Sequence, residues 1–506
     1  MVYNVLEFLE NSCARLPYKA AVKDENKCLT YSELRTESMK IGSALCGMIS
    51  PRRPVGIYME KSADTLCAFF GVLYAGGCYS LFNPELPQSR LSQIFDVLKP
   101  ELIITDDSLM AAAEQAFSGA KIVNIRDLAD SPICAQALYA VRDGVVDTDP
   151  LYINFTSGST GIPKGIVVGH RSTIDFIDCF TDIFKIGEDD IIANQAPFDF
   201  DVSVKDIYSA IKTGATLVIV PRHLFSAPVQ LTDYLCDNRI TTMIWAVSAL
   251  CLISTFHCLD YKTPSTVNKI LFSGEVMPYK HLREFQRHLP DTLYVNLYGP
   301  TEITCNCTYH ILEKDRDYSE GIPIGRHFPN EDVFLLSDSD SLVTEAESVG
   351  EICVRGSSLA LGYYCAPEQN AQHFTDNPLN TAYPEKIYRS GDLARYNAFG
   401  ELVFCGRKDF QIKYMGHRIE LEEVERAMSA ISGVERCCCI FDERRSRLKG
   451  YYIGEIEKDR LHTLMEESLP AFMIPGILRR VEEMPLTKNG KIDRKRLEET
   501  AGGKRS

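Results

Sequence analysis

Short apolar segments alternate with helical patterns along most of the chain, and this alternation constrains the fold more than any other feature of the sequence. The apolar segments are rich in β-forming residues and bounded by Gly, Pro or Asp, as in "RPVGIYM", "PELIITD", "GATLVIVP", "TMIWAV", "KILFSG" and "TLYVNLYG". Helical patterns such as "YSELRTESMKIGSALCGMI" lie between them. The order is typical of α/β layers built around a largely parallel sheet.

The character of the sequence changes near Gly350. The segments "GEICVRG", "GELVFCGR" and "QIKYMG" predict strands joined by glycine turns, in a small barrel or antiparallel sheet. After Arg407 a compact tail contains the acidic helix "ELEEVERAMSAI" and a basic ending. A chain of 506 residues, 45% of them hydrophobic, is long enough for two or more domains. We therefore expect an N-terminal core at residues 1–407 and a C-terminal domain at residues 408–506.

Charge and cysteine content narrow the class of protein. The formal net charge of −15 argues against a nucleic acid or an anionic membrane as the main partner. The N-terminus lacks an apolar signal core, and no apolar run is long enough to span a bilayer. The 18 cysteines are scattered without paired C-x-x-C spacing, which predicts free thiols in a reducing cytoplasm or small buried apolar groups. Nothing in the sequence demands more than a monomer.

The segment "INFTSGSTGIPKGIVVGHRS" has the composition of a phosphate-binding loop. It does not match the Walker pattern, because Lys164 is followed by a glycine and has no adjacent hydroxyl for magnesium. Hydroxyl donors, glycines that let backbone amides approach an anion, and one cation nevertheless predict a polyphosphate cradle. Its members are Thr156, Ser157, Gly158, Ser159, Thr160, Gly161 and Lys164. The alternative is a Gly/Ser surface loop between two strands.

The same loop resembles the signature of the adenylate-forming superfamily, which contains acyl-CoA synthetases, luciferases and the amino-acid adenylation domains of peptide synthetases. Further motifs of that superfamily follow in order, including "LTYSEL", "NLYGPTE", "GEICVRGSSLALGYY", "YRSGDLARY", "GRKDFQIKYMGHRIELEEVE" and "NGKIDR". The sequence is most similar to the free-standing D-alanine carrier-protein ligases. The resemblance implies layered α/β sheets with a small barrel-like part, a small mobile α+β C-terminal domain, and ATP and Mg²⁺ as cofactors.

The resemblance also implies which residues bind the nucleotide. In "YGPTE", Tyr298 would stack on adenine, Thr301 would donate to phosphate and Glu302 would lie near magnesium. Asp392 and Arg407 would bind the ribose hydroxyls. Further nucleotide-binding positions implied by the motifs "FSGEVMP" and "NLYGPTE" are Gly274, Glu275, Val276, Asn296 and Gly299.

Domain movement is the next implication of the resemblance. Lys491 in "NGKIDR" matches the catalytic lysine that bridges the substrate carboxylate and the phosphate during adenylation. Asp409 in "GRKD" matches the hinge about which the small domain rotates between adenylating and thioester-forming arrangements. In the second arrangement Gly416 would face the active site and let a pantetheine arm pass.

A substrate pocket is implied by the motif "FDVSV", whose Asp201 matches the aspartate that binds the ammonium group of an amino acid. The alternative is that Asp201 and Lys205, four residues apart, simply pair on a helix. The implied lining consists of Asp201, Val202, Lys205, Trp245, Leu271, Ser273, Leu297, Cys305 and Asn306. Trp245 and Leu297 would fill volume and favour a small side chain. Lys205 departs from the D-alanine ligases, and a buried lysine needs a polar or acidic partner.

These observations predict a stand-alone enzyme that activates an amino acid with ATP and transfers it to the phosphopantetheine thiol of a separate carrier protein. Lys205 favours a small polar or acidic substrate. The alternatives are D-alanine for teichoic-acid modification, an acyl-CoA ligase, and a non-catalytic nucleotide-binding scaffold.

Overall fold

The computed structural model describes residues 2–158, 161–442, 445–486 and 492–502, and it divides into two compact units. The first unit comprises residues 1–84, 98–155 and 165–408. The second comprises residues 85–97, 156–164 and the chain from Asp409 onward. The division at residue 407 expected from the sequence remains a prediction, since the second unit also includes two short segments from within the N-terminal part of the chain.

Strands occur along the whole chain. They are β1 (Ala20–Lys23), β2 (Cys28–Thr30), β3 (Pro54–Tyr58), β4 (Cys78–Leu81), β5 (Ile103–Thr105), β6 (Ile122–Asn124), β7 (Pro150–Thr156), β8 (Lys164–Gly169), β9 (Ile191–Asn194), β10 (Thr216–Ile219), β11 (Thr242–Ala246), β12 (Lys269–Ser273), β13 (Leu293–Tyr298), β14 (Thr308–Ile311), β15 (Arg326–His327), β16 (Glu331–Leu336), β17 (Leu342–Val343), β18 (Gly350–Gly356), β19 (Gly362–Tyr363), β20 (Phe374–Asp376), β21 (Lys386–Tyr396), β22 (Leu402–Arg407), β23 (Gln411–Tyr414), β24 (His417–Glu420), β25 (Val434–Asp442), β26 (Arg447–Gly454) and β27 (Ile477–Arg480).

Helices separate most of these strands. They are α1 (Leu6–Arg15), α2 (Tyr31–Leu45), α3 (Ala63–Tyr74), α4 (Gln88–Leu98), α5 (Met110–Ala116), α6 (Ile125–Ala129), α7 (Ala135–Asp143), α8 (His170–Phe184), α9 (Val202–Thr213), α10 (Pro228–Asp237), α11 (Val247–Thr255), α12 (Cys258–Tyr261), α13 (Tyr279–His288), α14 (Pro367–His373), α15 (Leu421–Ser429), α16 (Lys458–Glu466) and α17 (Arg494–Gly502).

Two large sheets form the centre of the first unit. One has the strand order β15-β14-β13-β12-β11-β9-β10-β1-β2, with its middle strands parallel. The other has the order β19-β8-β7-β4-β3-β5-β6. Strands such as Ile103–Thr105 and Thr242–Ala246 are buried at every position, as expected for parallel strands covered on both faces. The α/β architecture expected from the sequence is confirmed.

Apolar helices pack against these sheets and form the main core. Eleven of the twelve residues of helix α3, "ADTLCAFFGVLY", are buried. Its start is fixed by Ser62, which accepts a hydrogen bond from the backbone of Thr65. Helix α2 begins with a capping box between Thr30 and Glu33. These caps set where the helices begin and therefore which face each helix buries.

An antiparallel sheet completes the first unit. It has the order β17-β16-β18-β21-β20, and β22 pairs with β21. Its strands enclose a separate apolar cluster around Tyr388 and Ile352. The predicted segments "GEICVRG" and "GELVFCGR" contribute β18 and β22 to this sheet, whereas "QIKYMG" forms β23, which pairs with β24 in the second unit.

The second unit has its own core. Strands β25, β26 and β27 form a sheet against α15, whose Leu421, Val424 and Met428 recur at helical spacing and are buried. A buried ion pair joins Arg90 of α4 to Glu423 of α15, with 2.6 Å between nitrogen and oxygen. This pair holds α4 against the C-terminal sheet and helices.

Two further expectations concern the chain as a whole. In the described part of the chain, no helix combines the length and hydrophobicity needed to cross a membrane. All 18 cysteines lie in the described ranges, and none of them is in a disulfide.

Candidate active site

The polar residues of the candidate site collect where the central parallel strands end. Ser273 is the last residue of β12, Leu297 lies near the end of β13, and Asp201 immediately precedes α9. Ser273 and Leu297 are directly in register on neighbouring strands. Ligands of open α/β sheets bind outside the carboxyl ends of parallel strands, so this edge is the expected place for a site.

Lys205 lies at the centre of this group and is only 1% exposed. Its Nζ donates to Asn306 Oδ1 at 2.7 Å and to Ser273 Oγ at 3.3 Å. Both acceptors are themselves buried. A buried ammonium is costly without hydrogen bonds, and these two contacts offset part of that cost. The lysine, serine and asparagine implied by the resemblance are therefore brought together from three distant segments of the chain.

Asp201 and Cys305 lie next to this cluster. The Cys305 thiol donates to the backbone carbonyl of Asp201 at 3.2 Å, which ties the start of α9 to the segment after β13. Burial raises the pKa of the Cys305 thiol well above its usual value, and the Asp201 carboxylate adds to the shift. The thiol is therefore neutral and serves as a wall. Val202, the next residue of α9, is half-buried.

Trp245 does not share this wall, and the expectation that it lines the pocket is wrong. Successive residues of a strand point to opposite faces of the sheet, and Trp245 is in register with Phe272 in the cluster on the other face. Its indole donates to the Ala193 carbonyl at 2.8 Å. Ile244 is in register with Leu271 and belongs to the same core cluster as Leu271 and Leu297. Ile244 therefore takes the position that was assigned to Trp245.

The three residues expected at adenine and ribose are in direct contact. The Tyr298 hydroxyl donates to one oxygen of Asp392, and Arg407 donates to the other. Asp392 is 2% exposed. Burial, with the nearby Asp392 carboxylate, holds the pKa of Tyr298 well above its usual value, so that the hydroxyl remains a donor. A carboxylate held from both sides has a fixed orientation and can still accept from additional hydroxyl groups.

Glu302 and its neighbours form a tight turn after β13. The Glu302 carboxylate is fully buried and accepts from the Tyr363 hydroxyl at 2.7 Å. Thr301, which is half-buried, opens the short 3₁₀ turn Thr301–Ile303. A Cβ on Gly299 would lie 2.8 Å from the Cys305 oxygen and the Cys307 nitrogen, so only glycine permits this backbone packing. Glu302 offers the hard oxygen donor that Mg²⁺ prefers.

The other implied nucleotide positions lie at the same edge of the sheet. Gly274 has a positive φ of 93° directly after β12, where glycine is favoured. Glu275 is half-buried and Val276 is exposed. Asn296 is buried and donates to the Pro323 carbonyl at 2.9 Å. Its side chain is thereby held near the end of β13.

The predicted phosphate loop belongs to the second unit. Thr156 ends β7, and the Ser157 hydroxyl donates to the Arg418 carbonyl at 2.7 Å. The Gly161 backbone N–H donates to the Gly158 carbonyl at 2.8 Å. Gly161 has a φ of 82°, and Gly158 packs against the Ile162 carbonyl too closely for any side chain. The glycines are therefore required by the loop itself.

The remaining predicted residues either lie outside the described residues or lie where the chain passes from one compact unit to the other. Ser159, Thr160 and the proposed catalytic Lys491 lie outside the described residues. Lys164 is buried at the start of β8. Asp409 is the first residue of the C-terminal part of the second unit, and its carboxylate accepts from the Gln411 backbone at 3.2 Å.

Sequence reasoning missed several residues of the site. Ile244 could have been found from strand alternation once the register with β12 was known. No sequence signal identified Tyr363 as the partner of Glu302.

A second buried polar group also lies at α9, where Asn194 donates to Asp206 at 2.8 Å and Lys61 donates to the Asn194 amide oxygen at 3.3 Å. Burial raises the pKa of Asp206 and lowers that of Lys61.

With this fold and site, the chain belongs to the AMP-binding enzymes, whose family model matches residues 9–364. It is an adenylate-forming protein of the type found in peptide synthetases. Zwittermicin A synthase ZmaJ of Bacillus cereus is 32% identical over 97% of this chain and 94% of its own length. Bacitracin synthase 1 of Bacillus licheniformis is 31% identical over 98% of this chain, which spans only 9% of that much longer protein.

A solved structure gives the same result. Holo-PA1221, a peptide-synthetase protein containing adenylation and carrier (PCP) domains, superposes with a TM-score of 0.84 at 25% identity. The match covers 98% of this chain and 84% of that one. The resemblance to the adenylate-forming superfamily is confirmed, and its fold with it.

Proposed function

We propose that this protein activates an amino acid with ATP to an aminoacyl-adenylate and pyrophosphate, and then transfers it to the phosphopantetheine thiol of a separate carrier protein. The observation that carries the proposal is that polar residues from distant segments of the chain meet in one site. The Asp201 backbone carbonyl accepts from Cys305, and Lys205 donates to Asn306 and Ser273. A carboxylate near a buried polar pocket suits an α-amino group on a substrate with a polar side chain.

The residues have distinct tasks in the first step. Tyr298, Asp392 and Arg407 would orient adenine and ribose, so that the α-phosphate is aligned for in-line attack by the substrate carboxylate. Thr301 would donate to a phosphate oxygen. Glu302 would hold Mg²⁺, which when bound helps to neutralise the charge of the phosphates. The phosphate loop, Thr156 to Lys164, would supply hydroxyl and backbone donors to the leaving pyrophosphate.

The second half of the proposal concerns the carrier. We infer that Lys491 acts in adenylation, and that rotation about Asp409 then replaces it with the segment around Gly416. The boundary between compact units at Lys408 and Asp409 supports this hinge. Holo-PA1221, whose structure is similar to this chain, contains adenylation and PCP domains, which supports a carrier protein as the acceptor. Cysteines that form no disulfide in the described ranges are consistent with the cytoplasm.

The substrate is proposed to be a small amino acid with a polar or acidic side chain. Lys205 is buried in the pocket wall, and a substrate oxygen would give its ammonium a further acceptor. Leu271, Leu297 and Ile244 restrict the remaining volume. D-Alanine is the competing substrate, because it would fit the same restricted space without using the ammonium. An apolar acid with free coenzyme A would point instead to an acyl-CoA ligase.

Amino-acid-dependent ATP–pyrophosphate exchange across the D- and L-amino acids tests this proposal. We expect strong exchange with one small polar or acidic amino acid, and its loss in Asp201→Ala and Lys491→Ala. Transfer of the radiolabelled amino acid to a phosphopantetheinylated carrier protein tests the second step. Exchange with D-alanine alone would refute the substrate, and acid-dependent consumption of coenzyme A without any amino-acid exchange would refute the function.

A further inference from the structure

Two histidines and two carboxylates lie close together where α12 packs against α13. They are His257, Asp260, Glu284 and His288, and none of the candidate active-site residues lies on either helix. His257 and Asp260 are three residues apart at the start of α12, and Glu284 and His288 are four residues apart at the end of α13. These spacings place both members of a pair on one face of a helix. Imidazole and carboxylate groups are typical zinc ligands.

The two helices hold these side chains on a packed scaffold. Leu259, the neighbour of Asp260, and Phe285, the neighbour of Glu284, are buried in the same apolar cluster. The packing fixes the backbone at two of the four polar residues and therefore limits how far their side chains can move apart.

The distances within the group match those around a tetrahedral ion. The His288 Nε2 atom lies 3.2 Å from Asp260 Oδ1 and 3.4 Å from Glu284 Oε1. Ligand atoms at about 2.0–2.2 Å from a tetrahedral Zn²⁺ are about 3.3–3.6 Å from one another. His257 completes the group, because ligand atoms of His257, Asp260 and Glu284 all lie within 4.8 Å of one another.

The other ring nitrogen of His288 faces a hydrogen-bond acceptor. Its Nδ1 atom lies 3.5 Å from the Thr263 hydroxyl, which itself donates to the Leu259 carbonyl at 3.1 Å. Thr263 can therefore accept from an Nδ1–H of His288, which leaves the lone pair on Nε2. A histidine that binds a metal is commonly oriented in this way by a hydrogen bond from its second nitrogen.

A cationic group already lies at the point where three of these atoms converge. Arg287 Nη2 donates to Asp260 Oδ1 at 2.8 Å and to Glu284 Oε1 at 2.6 Å, and it lies 2.9 Å from His288 Nε2. The Arg287 side chain is 59% exposed and can turn into solvent without crossing the protein interior. Arg287 supplies one positive charge against two carboxylates, whereas Zn²⁺ supplies two.

We propose that His257, Asp260, Glu284 and His288 form a Zn²⁺ site that joins α12 to α13, and that Arg287 and the ion compete for it. Binding of the ion moves the guanidinium into solvent and replaces its hydrogen bonds by metal–ligand bonds. The site is separate from adenylation, and the inference does not depend on the proposed function.

Isothermal titration of the chelator-treated full chain with ZnCl₂ tests this inference. We expect saturable binding that is weakened by about tenfold or more in His288→Gln and in Glu284→Gln. Arg287→Met should have the opposite effect and strengthen binding by about tenfold, because the ion no longer has to displace a charged donor. An ion-binding site of this kind is the only arrangement in which removing an arginine and removing its neighbours change affinity in opposite directions.

Matched controls separate this site from a general effect of charge. Arg283→Met removes the same charge one turn earlier on α13, where the arginine donates to the Tyr279 hydroxyl at 3.3 Å, and it should leave Zn²⁺ binding unchanged within about twofold. Zn²⁺ should raise the melting temperature of the native chain and of Arg283→Met but not that of His288→Gln. The melting temperature without Zn²⁺ reports whether each variant is folded. If His288→Gln is not, Glu284→Gln and the exposed Arg287→Met decide.

Three results would overturn the inference. The first is the absence of saturable Zn²⁺ binding to the native chain. The second is binding that neither His288→Gln nor Glu284→Gln weakens, or thiolate absorption bands when Co²⁺ replaces Zn²⁺, since either would place the ion elsewhere, for example on cysteines. The third is Zn²⁺ affinity that Arg287→Met does not raise, which would show that the arginine and the ion do not share one position.

Discussion

Replacing Lys205 with methionine removes the ammonium from the candidate substrate pocket but keeps an unbranched side chain of similar length. A hydrogen bond to a charged group contributes about 1.5–3 kcal/mol, which corresponds to about ten- to hundredfold in affinity. If the substrate side chain accepts from Lys205, kcat/KM for that amino acid should fall by this factor. The KM for ATP should not change, since Tyr298 and Asp392, the proposed nucleotide-binding residues, lie on other elements.

The same substitution has a second effect, on folding. It leaves Asn306 Oδ1 without the donor that now lies 2.7 Å away, at a cost of about 1–3 kcal/mol, while it removes a buried charge that is itself costly. Lys205→Met combined with Asn306→Leu removes both polar groups, and its unfolding free energy should therefore exceed that of Lys205→Met alone. Comparing the double variant with each of its two single variants measures the coupling free energy between the two side chains.

Steady-state ATP–pyrophosphate exchange with the full amino-acid panel gives kcat/KM for each variant, and urea unfolding gives the stability. Lys212→Met, on the same helix, is the control, because its side chain contacts Asp178 and Thr181 away from the pocket. The role of Lys205 in selecting the substrate is refuted if Lys205→Met keeps the native amino-acid preference within about twofold. Lys205 would then be a structural residue that does not contact the substrate.

Three further predictions can be checked with the same preparations. Burial lowers the pKa of His170 to about 4, so the native state resists protonation of this side chain. The free energy of unfolding should therefore fall by up to about 3 kcal/mol as the pH drops from 6.5 to 4. His170→Gln should lessen this dependence on pH, measured by urea unfolding across that range. Asp392→Asn should raise the KM for ATP by about tenfold or more and leave that for the amino acid unchanged, whereas equal effects on both would contradict a role at the ribose. Gly299→Ala should lower the unfolding free energy by about 1–3 kcal/mol and suppress exchange, and an unperturbed variant would show that the backbone contact at Cys305 can relax.

Motifs predicted the fold well because each motif is tied to a fixed place on a strand or helix. Ser273 and Leu297 fall at strand ends, as the α/β pattern requires. The error at Trp245 arose because "TMIWAV" is almost entirely apolar. A strand that is buried on both faces contains no polar alternation to show which side chains point where.

Other features depend on contacts between distant segments. Lys205 meets Ser273 and Asn306, which are 68 and 101 residues away in sequence. The hydroxyl of Tyr363 reaches Glu302 across 61 residues. Local pattern carries no information about such pairs, and a resemblance supplies the residues of the pocket without their hydrogen bonds.

The turn after Glu302 has a consequence for how selectivity can change. Thr304 and Cys305 both have positive φ values, of 54° and 77°, a conformation that β-branched side chains rarely adopt. Cys305 also belongs to the proposed pocket wall, so a new side chain there must first tolerate a left-handed backbone. The range of substrates accessible by single substitutions at this position is therefore limited by chain geometry before it is limited by the size of the pocket. Asparagine, aspartate and glycine are the replacements for Cys305 that this backbone conformation would most readily accept.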